Sequence, residues 1–252
     1  MRYLLEIAYN GTNYSGWQKQ KNAVSVQQTL EMHLEVLCGK PVETMGCGRT
    51  DTGVHARRFF LHFDSGAIED SQTFVHKLNG LLPKDIAAYD LRPTATDFNA
   101  RYDAISRQYR YFIHQRPNPF LNELSYFYSR NLDVETMNKA CSLLLHYIDF
   151  GCFRKTRSSG KTNICYLTKA RWYRRNDRLI FVVESDRFLR NMVRAIVGTL
   201  ILVGEKRLDL KQFEEILINK NRQAAGYSVP ACGLYLWDVM YNIRGNYSEP
   251  ES

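Results

Sequence analysis

Between Arg2 and Tyr9 the residues Tyr3, Leu5, Ile7 and Tyr9 fall on alternate positions, the period-two pattern of a strand with one buried face. The period then changes. Ser25-Val26-Gln27-Gln28 reads as a capping box, and Val26, Leu30, Leu34 and Leu37 recur behind it at helical spacing until Gly39 and Pro41. Short strands are predicted over residues 42–47 and 58–63. A second helix starts at Asp70 or Ser71, carries Phe74, Leu78 and Leu81, and stops at Leu82-Pro83; a strand over 86–91 completes the set. The order is β-α-β-β-α-β.

The rest of the chain repeats it. Residues 106–115 alternate, with Tyr109, Tyr111 and Ile113 facing one way and Arg110, Phe112 and His114 the other. Asp133 caps a helix bearing Met137, Cys141 and Leu144. Residues 165–174 and 179–184 form a hairpin around Asn176-Asp177, followed by a helix from about 188 to 203, a short helix after Asp209 and a strand over 234–241. This order is the ferredoxin-like split unit, a sheet with helices on one face. The predicted fold class is α+β: two ferredoxin-like βαββαβ units whose mixed, mainly antiparallel sheets meet around a central cleft. The predicted domains are 1–104 and 105–244, and residues 245–252 read as a loose polar tail.

Composition narrows the classes. Of 252 residues, 44% are hydrophobic and 24% charged, as in a soluble globular protein and unlike a disordered one. The N-terminus meets Glu6 after two apolar residues, so it does not read as a signal peptide, and no apolar run reaches membrane length. The six cysteines make no C-x-x-C pair, which argues against a metal site and for free thiols in a reducing cytoplasm. The 34 Lys and Arg against 26 Asp and Glu leave a net charge of +8, which favours a polyanionic partner only slightly over a basic enzyme. Distribution weighs more. Arg49, Arg57, Arg58, Arg101, Arg107, Arg110, Arg154, Arg157, Arg187, Arg190 and Arg194 lie among Tyr and Phe residues, a mixture that holds unstacked bases and their phosphates.

One segment breaks the regular pattern: Gly46-Cys47-Gly48-Arg49-Thr50-Asp51-Thr52-Gly53-Val54-His55-Ala56. Its glycines permit tight turning and close approach, and Arg49 beside Asp51 favours an ionised carboxylate. An ordinary turn also uses Gly, Asp and Thr. Asp51-Thr52-Gly53 is in addition the triplet of aspartic proteases, in which two carboxylates share one proton. Here Gly48-Arg49-Thr50 precede it in place of apolar residues, no second D-T-G or D-S-G follows, and the arginine opposes the shared proton.

The full segment resembles the signature G-x-G-R-T-D-x-G-V-H-A of the tRNA pseudouridine synthase A family. Further matches follow in order: residues 9–18 (Tyr-Asn-Gly-Thr-Asn-Tyr-Ser-Gly-Trp-Gln) resemble Y-D-G-T-x-Y-x-G-W-Q, residues 98–102 and 107–111 resemble F-x-A-R-F and R-x-Y-x-Y, residues 188–200 resemble F-x-x-x-M-V-R-x-I-V-G-x-L, and residues 233–236 its closing G-L-Y-L. Asn10 and Cys47 depart from the pattern, as do Arg57 and Arg58 after Ala56, and 154–161 matches only loosely.

The resemblance implies an isomerase that converts uridine to pseudouridine in the anticodon stem-loop of tRNA, without cofactor or metal, working as a homodimer. It makes Asp51 the catalytic carboxylate, either attacking the sugar or taking a proton from it. It makes Arg194 the cation that pairs with Asp51, and Tyr109 the aromatic that stacks on the flipped base or moves its proton. Leu234 is implied to lie against the uracil ring. Arg49, Arg58 and Arg101 are the expected RNA contacts, with solvated surface charge as the alternative. His55 reads equally as a structural or a participating residue.

Overall fold

The structure is a computed structural model describing residues 1–156 and 162–242; the expected tail at 245–252 and most of the loosely matching 154–161 segment lie outside the described residues. The first half runs β1 (Arg2–Tyr9), α1 (Val26–Cys38), β2 (Thr44–Gly46), β3 (His55–Asp64), α2 (Ser71–Leu81) and β4 (Ile86–Thr94). The second runs β5 (Ala104–His114), β6 (Tyr126–Phe127), α3 (Val134–Leu144), β7 (Leu167–Arg175), β8 (Arg178–Ser185), α4 (Met192–Gly204), α5 (Leu210–Asn219) and β9 (Leu234–Tyr241). Helix starts follow their caps. Ser25 accepts from the Gln28 amide, Asp70 from those of Gln72 and Thr73, and Asp133 from that of Thr136. Asp209 and Gln212 form a reciprocal capping box.

Two expectations are corrected. The sheets do not meet face to face. They join edge to edge into one nine-stranded mixed sheet, in the order β4-β1-β3-β9-β5-β8-β7, with β2 on β3 and β6 on β5. The joint is a parallel ladder registering His55 with Tyr235 and Ala56 with Leu236, so each half closes the other's open edge. The other correction concerns α4, expected from about residue 188. It begins at Met192, because Asn191 takes a left-handed conformation (φ 67°) that interrupts the helical path.

Register shows which residues share a face. Tyr9 lies opposite Ala56, Ala56 opposite Leu236, and Leu236 opposite Tyr109. This row therefore runs across the middle of the sheet on one side. The reverse side carries His55, Tyr235, Arg110, Val182 and Arg171 in matching register. Two cores result. One gathers Leu5, Ile7, Phe59, Leu30 and Leu34 from the first half with Leu236 and Val239 of β9. The other gathers Tyr111, Ile113, Phe181, Ile196 and Leu200 with Val54 from the first half. Tyr109 packs against both.

Nearly every residue of α4 is buried, and its glycine explains how. At Gly198 an added Cβ would fall on the carbonyl oxygen of Tyr227, and Gly226 packs as closely against the Gly198–Thr199 backbone. The Thr199 hydroxyl accepts from the Gly226 amide at 2.8 Å. Segment 226–229 is thereby pinned to the helix. Gly198→Ala is expected to force the two backbones apart and destabilise the protein by about 2 kcal/mol or more, read as a lower denaturation midpoint.

Candidate active site

The loop from Cys47 to Val54 connects β2 to β3 at the seam between the halves. Its start is fixed by a close approach: at Gly46 a Cβ would lie 2.6 Å from the Trp17 indole, which itself packs on Phe59 with centroids 4.2 Å apart. Segment 10–17 supports the rest. The Tyr14 carbonyl accepts from the Gly53 amide at 3.2 Å, and the Thr50 carbonyl accepts from the Trp17 amide at 3.4 Å. Thr50 and Tyr9 join hydroxyls at 2.9 Å. Gly16, at φ 87°, passes so close to the Thr50 carbonyl that no side chain fits there. Residues 9–17 are thus the bed on which the Asp51 loop lies, a role that their spacing in the sequence does not reveal.

Asp51 emerges half-buried from this loop. Among the described residues its ion-pair partner is Arg190, with Nε 3.5 Å from Oδ1. The expected Arg194–Asp51 pair is not formed here. Arg194 Nε donates to the Val229 carbonyl at 2.6 Å, and the Val229 amide returns a bond to the Arg194 carbonyl at 3.3 Å. Arg190 thus lies just before α4 and Arg194 in its first turn, one held on Asp51 and the other on Val229.

Tyr109 comes from β5, half-buried, with its ring edge-on to Phe188 at 5.1 Å. Burial raises its phenol well above the usual tyrosine range, and the negative charge of Asp51 adds to that rise. The hydroxyl therefore keeps its proton at neutral pH. Cys47, fully buried at the head of the loop, is held as a thiol in the same way, pushed up to about 12.

Arg107, grouped in the sequence with the arginines that hold bases and phosphates, has a positioning role that the sequence reading did not assign to it. It shares strand parity with Tyr109 and Tyr111, so a charge falls where the strand pattern calls for a buried side chain; that was the available signal. Its guanidinium donates to the carbonyls of Cys47 (3.0 Å), Asp186 (2.7 Å), Ala104 (2.9 Å) and Arg101. One planar cation thus ties the head of the Asp51 loop to the end of β8 and to the crossing between the halves.

The remaining expected site residues divide. Leu234 opens β9, 6% exposed, in the second core. Arg49 is exposed on the loop, and Arg101 is half-buried with its guanidinium over Tyr102. Arg58 forms a two-point pair with Glu6 (2.9 and 3.0 Å) and a further bond to Asp238 (2.9 Å), which gives its guanidinium strong partners within the protein. His55 is buried and bonded at both ring nitrogens. Its Nδ1 accepts from the Gly11 amide at 3.1 Å, which leaves Nε2–H to donate to the Cys232 carbonyl at 3.1 Å, and burial lowers its pKa. Among the described residues no three His, Cys, Asp or Glu side chains gather as metal ligands.

Comparison with known proteins agrees with this arrangement. The family model for tRNA pseudouridine synthase matches residues 7–103 and 140–242, which includes the loop, Arg190, Arg194 and β9. Relatives carrying the name tRNA pseudouridine synthase A are 46% identical over 241 residues in Parabacteroides distasonis, covering 95% of this chain and 96% of that one. In Porphyromonas gingivalis the figure is 46% over 244 residues, with 95% and 97% covered. In Acetivibrio thermocellus it is 41% over 239 residues, with 94% and 98% covered. An aspartate loop bedded on residues 9–17 at the joint of two similar halves, with family matches running along both, leads to one assignment: the chain belongs to the tRNA pseudouridine synthase family of isomerases.

Proposed function

We propose that this protein isomerises uridine to pseudouridine in the anticodon stem-loop of tRNA, with Asp51 as the acting carboxylate. The observation that carries this is the convergence at one seam of a half-buried Asp51 from the first half and a protonated Tyr109 from the second. The reaction breaks the bond from N1 to C1′, turns the uracil and joins C5 to C1′. The hydrogen on C5 is lost and N1 gains one, so no electrons enter or leave and no cofactor is needed. Asp51 either attacks the sugar or takes a proton from it. Tyr109 stacks on the flipped base and offers a hydroxyl, because a phenolate is disfavoured in this setting. Leu234 closes the uracil side, while Arg49 and Arg101 contact RNA phosphates. An enzyme that acts on tRNA belongs to the cytoplasm.

Each half reads as a ferredoxin-like unit, 1–104 and 105–244. In support, their strands follow the orders β4-β1-β3-β2 and β9-β5-β8-β7, the same arrangement twice, and each half has a core of its own. The active form is a homodimer paired through the reverse sheet face. There Arg57 and Arg110 stack on Trp237, beside Phe112 and Tyr235, while Glu184 and the net negative cluster of Glu6, Arg58 and Asp238 supply opposite charge for a self-complementary contact. A dimer at micromolar concentration in sedimentation, lost in Trp237→Glu, is expected; a wild-type monomer rejects this pairing.

Asp51→Asn tests the central claim. Turnover, followed as release of the C5 hydrogen from labelled tRNA, is expected to fall about a thousandfold or more while tRNA still binds. Wild-type turnover in this variant would remove Asp51 from the chemistry. Tyr109→Phe is expected to keep tRNA affinity within a few-fold and to slow turnover by about tenfold to a hundredfold. Unchanged turnover leaves stacking as its whole contribution.

A further inference from the structure

Arg190 and Arg194 lie four residues apart in the chain, yet the structure holds them very differently. The Arg194 guanidinium is fixed on the Val229 carbonyl by a short bond, over a segment that is itself pinned to α4. Arg190 precedes the helix. Its carbonyl accepts from the Lys155 amide at 3.1 Å, and the left-handed turn at Asn191 directs the chain away from the helix axis just after it. Its side chain is 59% exposed and meets Asp51 at 3.5 Å, within ion-pair range but beyond a tight hydrogen bond. A solvent-facing pair of this kind is weak and readily exchanged.

A uridine that reaches Asp51 brings a phosphate with it. Carboxylate and phosphate repel each other, and in a partly desolvated cleft that repulsion is screened less than in water. At the same time, a guanidinium resting on Oδ1 covers part of the carboxylate. A phosphate offers a guanidinium two-point binding, which the loose 3.5 Å contact with Asp51 does not.

We propose that Arg190 is an exchangeable counter-ion: it neutralises Asp51 in the free protein and moves to a phosphate beside the target uridine as RNA enters, uncovering the carboxylate. Arg190 is thus a substrate-positioning residue, and the fixed cation of the site is Arg194. This rests on Asp51 being the catalytic carboxylate, and the variants below separate the two claims.

The experiment measures tRNA Kd over a series of salt concentrations, together with kcat and KM, for the wild type, Arg190→Gln, Arg190→Lys, Arg194→Gln and Asp51→Asn. Arg190→Gln is expected to raise Kd and KM about tenfold, so that the fall in kcat/KM resides in KM. It is also expected to reduce the slope of log Kd against log salt by about 0.7 to 0.9, the loss of one phosphate contact. Arg190→Lys keeps the slope. Arg194→Gln behaves oppositely, losing kcat with little change in Kd. The proposal is overturned if Arg190→Gln lowers kcat at saturating tRNA with Kd and salt slope unchanged, which makes it a permanent partner of Asp51, or if nothing changes. Wild-type turnover in Asp51→Asn overturns the catalytic assignment itself; an inactive Asp51→Asn beside an unchanged Kd in Arg190→Gln overturns the exchange alone.

Discussion

The structure depends on a short parallel ladder between β3 and β9, in which His55 and Ala56 register with Tyr235 and Leu236. Parallel strands cannot be joined by a hairpin, and the chain runs through the whole second half between β3 and β9. The ladder therefore links the first half to the end of the second. It is fastened on the reverse face by His55, which stacks on Tyr235 at 4.5 Å and bridges Gly11 to Cys232. His55 needs to be neutral for that bridge, since Nδ1 accepts while Nε2 donates, and burial keeps it so. Because Asp51 lies just before β3, fixing the ladder also fixes the carboxylate relative to Tyr109, which lies opposite Leu236 on the next strand.

A ladder of this length sets the strands but not the loop. The loop is set by two further constraints of different kinds. From below, backbone contacts at Gly11 and Gly16, and the Trp17 and Phe59 rings against Gly46, leave no room for side chains, so the loop's height above the sheet is decided by packing. From the side, Arg107 donates to four carbonyls at the crossing of the halves. A cation with several fixed donors suits this task where a lysine would not, because the carbonyls lie in different directions around one plane. The same positive charge partly offsets the burial of Tyr109 and Cys47.

Local features of the fold were legible in the sequence, and long-range ones were not. The caps at Ser25, Asp70, Asp133 and Asp209 depend on amides two or three residues away, so the helix starts could be read directly, as could the alternation of β1 and β5. The β3–β9 ladder joins residues about 180 positions apart, and no periodicity encodes which edge meets which. The start of α4 failed for a different reason. Residues 188–191 continue the apolar spacing, but Asn191 tolerates the left-handed conformation and its side chain bonds Ser228 rather than capping the helix. For the site, Asp51 and Tyr109 were found through the family motif, while Arg107 and the pairing of Arg190 depended on contacts the chain order does not display.

The arginines show why net charge is a poor guide to an RNA surface. Arg58 was expected either to contact RNA or to be a solvated surface charge, and its partners Glu6 and Asp238 lie 52 and 180 residues away. With two carboxylates around one guanidinium, the cluster holds β1, β3 and β9 together and has no positive charge left to offer. Arg107 is likewise committed, to backbone carbonyls. Arg49, exposed on the loop, and Arg190, weakly held at 3.5 Å, are the cations beside Asp51 that a polyanion can reach. The attraction for RNA at the site thus depends on which guanidiniums lack strong partners rather than on the overall excess of +8. That selection also bears on the chemistry: an arginine locked to a carboxylate cannot follow a substrate, and one held loosely can.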